Sequence, residues 1–375
     1  MKSRKILILI ESMSGGGAER VVMEILNNID RSRFTPILAL FRKEGPYLSN
    51  LINTTIYEIP GCDSGYRKVF TTTKKLRILI QTIKPDLILS HLTGVNLTLL
   101  RVIFIFGLSY PVIITEHNNF SAYLKRLNSF RSLLLKLEAK FFFQRATKII
   151  VVSKGIKQNL IDVLKIKEDT IKVINNPVNI HQIKQVLTLS NGGKNRVKNI
   201  ISIGRLCMQK GFSDLITAFS EVVKVIPSKL TILGEGSLRS ELELKIRDLK
   251  LEKYVDMPGF VSPPWPMIRD ADVFVLSSRW EGFGNVIIEA MACDTPVIST
   301  DCNYGPNEII DDKQNGLLVP VGNIKALSNA IIDILSNEQV AKLYSTIAKD
   351  RLGRFDSRNI VRKYEQIFDE VINSC

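Results

Sequence analysis

The feature that most constrains this chain is an alternation, made twice, of short apolar runs with amphipathic helical patterns. The runs Ile6–Ile10, Thr35–Ala39, Leu87–Leu89, Val112–Thr115, Lys148–Val152 and Ile171–Ile174 read as strands. They are nearly continuous in apolar residues rather than alternating, as strands of a parallel sheet covered on both faces must be. Helical patterns such as Ala18–Asn28 and Lys74–Lys84 separate them. The alternation restarts at Asn199–Ile203 and continues through Thr231–Leu233, Val273–Leu276, Val297–Ser299 and Gly316–Val319. Two such series predict an α/β protein with two doubly wound, Rossmann-like domains, and ligands at the carboxyl ends of the strands facing a cleft. The expected division is 1–178, a linker 179–198 containing the polar run Leu-Ser-Asn-Gly-Gly-Lys-Asn-Arg, 199–356, and a terminal helix 357–375.

Charge divides in the same place. The 375 residues carry 51 Lys+Arg against 37 Asp+Glu, a formal +14, and the first 178 residues alone hold 27 of the bases and 13 of the acids. The remainder is neutral, so the two halves are expected to face different partners. A basic excess asks for nucleic acid, an anionic membrane or phosphorylated substrates. Five scattered cysteines, Cys62, Cys207, Cys293, Cys302 and Cys375, show no CxxC spacing and predict neither a disulfide framework nor a zinc site. The longest apolar run, around Val102–Phe106, is broken by Arg101, Gly107 and Pro111 and is too short to span a bilayer. With no signal peptide read at the start, the expected location is cytoplasmic.

Three loops could carry chemistry. Glu11–Gly17 follows the first strand, and its three glycines let backbone approach a ligand at a helix N-terminus. It is not GxGxxG, so a dinucleotide cofactor is not expected. Gly204-Arg205-Leu206, followed by Lys210-Gly211, puts two cations at a strand's carboxyl end, where they suit a diphosphate; two solvated surface cations are the plainer reading. The segment Ser277–Ala292 holds Glu281 in a Gly-containing loop and Glu289 inside the following helix, beside N–H groups able to hold phosphate or sugar oxygens.

Glu281-x7-Glu289 within EGFGNVIIEAMA resembles the signature of family 4 glycosyltransferases, which are retaining, nucleotide-sugar-dependent enzymes of the GT-B fold. Gly16-Gly17-Ala18-Glu19-Arg20, Gly204-Arg205-Leu206…Lys210-Gly211 and Gly234-Glu235-Gly236 match the same family in order, over essentially the whole chain. The resemblance implies that Glu289 binds the donor ribose and Glu281 faces the transferred sugar. It implies that Arg205 and Lys210 hold the donor diphosphate, with Gly284 and Asn285 beside donor sugar and phosphate. Gly16 and Gly17 correspond to the first-domain loop closing on donor or acceptor. His117, in Thr115-Glu116-His117, resembles the family's active-site histidine, and His91 is a weaker candidate lining the same cleft. The resemblance also implies a C-terminal helix crossing back to the first domain, no paired-carboxylate nucleophile, and a leaving diphosphate that assists deprotonation of the acceptor. Asp270-Ala271-Asp272 has metal-binding DxD spacing but precedes a strand, so neither a metal nor any other cofactor is expected; the nucleotide-sugar is a substrate.

The stretch 123–148 carries seven basic residues, Lys125, Arg126, Arg131, Lys136, Lys140, Arg145 and Lys148, against Glu138 alone. Leu127, Phe130, Leu134, Leu137 and Phe141 recur at three- to four-residue spacing, so apolar and basic faces should separate. Such a helix suits an anionic leaflet; an ordinary surface helix is the alternative. Asp301–Ile310 looks like family members that build bacterial surface polysaccharides on lipid carriers. The expected function is transfer of a sugar from a nucleotide-sugar donor, UDP-N-acetylgalactosamine first with UDP-glucose, UDP-galactose and GDP-mannose open, to an undecaprenyl-diphosphate-type saccharide of an O-antigen or capsule at the inner membrane face. A soluble transferase acting on a free metabolite is the rival. Nucleic-acid binding is not expected, because no RNP, KH or helix-turn-helix pattern accompanies the charge.

Overall fold

The computed structural model describes residues 3–59, 66–125, 127–188 and 197–374; Cys62, Cys375, Arg126 and 189–196 of the expected linker lie outside them. The chain forms two compact units, Met1–Pro177 with Ser357–Cys375, and Val178–Asp356.

In the first unit seven parallel strands are β1 (Arg4–Ile10), β2 (Phe34–Leu40), β3 (Thr55–Glu58), β4 (Leu87–His91), β5 (Val112–Glu116), β6 (Lys148–Val151) and β7 (Ile171–Val173), in the order β3-β2-β1-β4-β5-β6-β7. Ile6 to Ile10 are completely buried, because helices cover both faces of this central strand. The strand order reverses direction between β1 and β4, and in doubly wound sheets that switch point opens the ligand crevice.

The C-terminal helix Ser357–Asn373 belongs to this unit and packs on the helix Gly17–Asn28. Its buried Ile360, Val361, Tyr364, Ile367, Phe368 and Val371 fall on one helical stripe and join the core that contains Val21, Ile25, Phe34 and Leu89. Arg4 pairs with Asp369 at 2.8 Å, and Glu365 accepts the backbone N–H of Asp30 at 2.7 Å.

The second unit has six parallel strands, β8 (Lys198–Ile203), β9 (Ser228–Leu233), β10 (Val255–Gly259), β11 (Val273–Leu276), β12 (Val297–Thr300) and β13 (Leu317–Val319), ordered β10-β9-β8-β11-β12-β13. Its switch point lies between β8 and β11. The stretch expected as a linker contains the helix Ile180–Thr188, whose Ile180 and Ile183 are buried and which packs on the helices Trp265–Asp270 and Asn285–Ala292.

The basic stretch is two helices rather than one, Phe120–Leu124 and Ser129–Phe143, with Asn128 accepting the backbone N–H of Arg131 to cap the second. The second helix has two apolar stripes. Leu135, Ala139 and Phe143 turn inward, while Phe130, Leu133, Leu134, Leu137 and Phe141 lie on the other side and are exposed, Phe130 at 71%. No helix among the described residues is long and apolar enough to cross a membrane.

Candidate active site

In the second unit the loops after β8 and β11, the strands flanking the switch point, meet. Gly204 leaves room for the aliphatic stem of Lys210, since a Cβ there would lie 3.0 Å from its methylenes. Gly234 and Gly236 pass so close to the backbone of Gly204 and Leu206 that a side chain on either would strike a main-chain oxygen. That explains why the glycines of two separate motifs occur together. The loop 277–281 is tied to the turn Met208–Lys210 three times: Ser277 Oγ donates to Lys210 O at 2.8 Å, Gln209 Nε2 donates to Trp280 O at 3.0 Å, and Arg279 N donates to Gln209 O at 2.8 Å.

Those ties bring Lys210 to Glu281. Lys210 Nζ donates to Glu281 Oε1 at 2.5 Å, and Ser278 Oγ donates to the same oxygen at 2.6 Å. Glu281 is 7% exposed, and no bond among the described residues reaches its Oε2. A buried carboxylate compensated on one oxygen retains a free acceptor for a ligand hydroxyl. Arg205 stands exposed at the end of β8, its guanidinium without an ion pair among the described residues. Gly284, at φ +106°, turns the chain into the helix Asn285–Ala292, so the helix's N-terminal end opens beside the Glu281 loop.

Glu289 lies within this helix, 2% exposed, and accepts from Trp265 Nε1 at 3.0 Å. Sequence reasoning missed Trp265 and Ser278. Trp265 sits in a proline-rich run with no helical pattern, and Ser278 is one hydroxyl among neighbouring serines. The DxD pair is already engaged: Asp272 accepts from Lys198 Nζ at 3.2 Å and from Asn199 N at 2.8 Å, and Asp270 pairs with Arg269 at 3.1 Å.

The first unit places its candidates at the strand ends beside its own switch point. Gly15 takes φ +94°, Gly16 caps the helix Gly17–Asn28, and Gly17 faces open space. A side chain on Gly16 would meet the carboxylate of Glu19 in the first helical turn. His117 follows β5 and His91 ends β4; Nδ1 of His91 lies 3.0 Å from Nε2 of His117. Burial holds both imidazoles neutral, pushing His117 down to about 3 and His91 well below its ordinary value, with His117 adding to the effect on His91. Glu116, also buried, is raised to about 7 by desolvation, although Thr93 Oγ1 and Asn96 Nδ2 each donate to it at 2.7 Å.

Sequence comparison agrees with this architecture. The pattern described as glycosyl transferases group 1 matches residues 190–351, and that described as Glycosyltransferase Family 4 matches residues 15–182. The chain is 30% identical, over 96% of its length and 98% of the relative's, to the N-acetylgalactosamine-N,N'-diacetylbacillosaminyl-diphospho-undecaprenol 4-alpha-N-acetylgalactosaminyltransferase of Campylobacter jejuni. The chain belongs to glycosyltransferase family 4.

A second Campylobacter jejuni enzyme, GalNAc-alpha-(1->4)-GalNAc-alpha-(1->3)-diNAcBac-PP-undecaprenol alpha-1,4-N-acetyl-D-galactosaminyltransferase, is 27% identical over 99% of both chains. Among solved structures, a glycosyltransferase from Rickettsia africae superposes with a TM-score of 0.81 at 21% identity over the full length of both. Anabaena Alr3699/HepE in complex with UDP-glucose gives 0.81 at 22%, over 98% of this chain and 99% of that one. The enzyme is thus a glycosyltransferase with the GT-B fold, built of two Rossmann-like units with parallel sheets.

Proposed function

We propose that the enzyme transfers a sugar with retention of configuration from a UDP-linked donor, N-acetylgalactosamine first, to a lipid-diphosphate-linked saccharide at the inner face of a bacterial membrane, in O-antigen or capsule synthesis. The observation that carries this reading is the likeness, along nearly the whole chain, to a Campylobacter enzyme whose name specifies an undecaprenyl-diphosphate acceptor.

The site geometry supplies a matching division of labour. Lys210, Arg205 and the N–H groups opening the helix Asn285–Ala292 would hold the donor diphosphate, and the charge that grows on it as the glycosidic bond breaks is offset by these preorganised groups. Glu281 would take a hydroxyl of the transferred sugar on its free Oε2. It is not assigned as a covalent nucleophile, because its free Oε2 is given to that hydroxyl rather than to the anomeric carbon. The departing diphosphate accepts the acceptor's proton on the face it leaves, so the new bond forms with retention. His117 and the Gly16–Gly17 loop are assigned to the sugar and acceptor side. Positive charge comes from Lys210 and Arg205, so turnover is expected to require no metal.

The test is a panel of UDP-N-acetylgalactosamine, UDP-glucose, UDP-galactose and GDP-mannose with polyprenyl-diphosphate-linked N-acetylgalactosamine, read by mass spectrometry and anomeric NMR. Retained configuration with a UDP donor, persisting in EDTA, is expected. An inverted product, or transfer only to a free sugar, would overturn the reading.

Glu289 gives a separate check. A carboxylate hydrogen bond to ribose is worth about 1.5–3 kcal/mol, so Glu289→Ala should raise the Kd for UDP roughly 10- to 100-fold. The loss of an acceptor for Trp265 Nε1 should lower the melting temperature as well. Unchanged UDP affinity in titration calorimetry would remove Glu289 from the donor site.

A further inference from the structure

Alternate residues of a strand share a face, and His91 is in register with Thr115. Leu87, Leu89 and His91 of β4 therefore lie on the same side of the sheet as Ile113, Thr115 and, just beyond the strand, His117. Most of this face is hydrocarbon: Leu87, Leu89 and Ile113 share a core with Tyr364 and Phe368 of the C-terminal helix. Its end is polar. The ring centroids of His91 and His117 lie 5.3 Å apart with the planes 25° from parallel, so the rings meet nearly edge to edge.

The outer nitrogens of the pair, Nε2 of His91 and Nδ1 of His117, are buried without a partner among the described residues. An unbonded buried polar atom costs roughly 1–3 kcal/mol, so two on one pair of rings call for an explanation. The turn that aims His91 is held in an uncommon conformation. Leu92 has φ +75°, and it is fastened by its N–H donating to Thr115 O at 3.2 Å and by the Glu116 bonds to Thr93 and Asn96 in the next helix. Strain of this kind persists where the surrounding contacts enforce it, and it clusters at functional sites.

Counting protons makes the pair more specific. Two neutral imidazoles carry two protons on four ring nitrogens. The His91–His117 hydrogen bond needs one proton between Nδ1 of His91 and Nε2 of His117. If His91 supplies it, His91 is protonated on Nδ1, and His117, accepting on Nε2, is also protonated on Nδ1. If His117 supplies it, His117 is protonated on Nε2 and so is His91. The two rings must share one tautomer and exchange it together.

We propose that His91 is a positioning residue for His117: it fixes that ring through the Nδ1···Nε2 bond and, by sharing its tautomer, sets whether Nδ1 of His117 offers a proton or a lone pair to a sugar hydroxyl. This rests on His117 facing the transferred sugar. A hydroxyl that donates to Nδ1 of His117 selects the Nε2–H form of both rings, and one that accepts from it selects the Nδ1–H form.

The chain has three histidines, and His181 is exposed, so ring ¹⁵N spectra of histidine-labelled enzyme resolve the pair directly. His91 and His117 are expected in the same tautomer. His91→Leu should shift the ring signals of His117, whereas His91→Asn, whose amide places a donor and an acceptor where Nδ1 stood, should restore them. With UDP-N-acetylgalactosamine and the polyprenyl-diphosphate-linked acceptor, His91→Leu should lower kcat about 10- to 100-fold at unchanged donor KM, and His91→Asn should recover it to within about threefold. The double variant with His117→Ala should be no slower than His117→Ala alone. Opposite tautomers in the two rings, His117 signals unmoved by His91→Leu, or additive losses in the double variant would overturn the proposal. If His117→Ala turns over at the native rate, the sugar-side reading of His117 fails and the spectra alone decide whether His91 positions it. If His91→Leu does not fold, the tautomers of the native enzyme and of His91→Asn decide it.

Discussion

Lys210→Ala should lower kcat by about 10²–10³-fold, the loss seen when one preorganised group facing developing charge is removed. Arg205→Ala should lower it in the same direction. The two variants differ in what else they disturb. Lys210 neutralises a carboxylate that is 7% exposed, and removing one partner of a buried pair typically destabilises by about 3–5 kcal/mol. Ser278 still donates to Glu281 in Lys210→Ala, so the loss should fall toward the low end of that range. Arg205 is exposed and has no ion pair among the described residues, and Arg205→Ala should melt as the native enzyme does. Steady-state kinetics beside thermal melts separates the two effects. If Arg205→Ala and Lys210→Ala both turn over at the native rate while folded, the diphosphate does not lie where β8 ends.

Much of this site was legible in the sequence because parallel sheets write themselves plainly. A strand buried on both faces has to be a run of apolar residues, and the loops between such runs mark the strand ends where ligands bind. Arg205, Lys210 and Glu281 were legible for that reason, and the structure brings the last two into contact. Two of the four edge strands were not. Thr55–Glu58 is mostly exposed, and Val255–Gly259 includes Pro258 and Gly259, so neither has the doubly covered pattern of a central strand. Contacts between distant segments were equally silent: nothing in local spacing joins Trp265 to Glu289 or His91 to His117. The helix Ser129–Phe143 was half legible. Three- to four-residue spacing picked out one apolar stripe, but only packing shows that the inward stripe is Leu135, Ala139 and Phe143, leaving the larger one outside.

That outward stripe carries the other large expected effect. Phe130, Leu133, Leu134, Leu137 and Phe141 lie exposed, and Phe104 and Ile105 from the neighbouring helix extend the patch. Phe104 and Phe141 meet edge to face at 5.4 Å, with the Arg145 guanidinium 3.6 Å from the ring centre of Phe141. Lys125, Arg131, Lys136 and Lys140 are exposed around them. Apolar side chains ringed by cations match the acyl boundary of an anionic bilayer, where hydrocarbon enters and the cations meet headgroup phosphates. Leu134→Glu/Leu137→Glu should leave the fold intact, since both positions are solvent-facing. Half-burying two leucines is worth about 2 kcal/mol, and two added carboxylates near the surface cost about 1 kcal/mol each. The sum, about 4 kcal/mol, corresponds to nearly a thousandfold loss of affinity for phosphatidylglycerol-containing vesicles in flotation. Lys136→Gln/Lys140→Gln should lose less and only at low ionic strength, because it removes the screened part of the attraction and keeps the apolar part. The same leucine variant should keep its activity toward a short-chain, water-soluble diphosphate acceptor while losing activity toward a bilayer-embedded one. Vesicle binding and bilayer turnover both at native levels would show that the stripe faces something other than lipid.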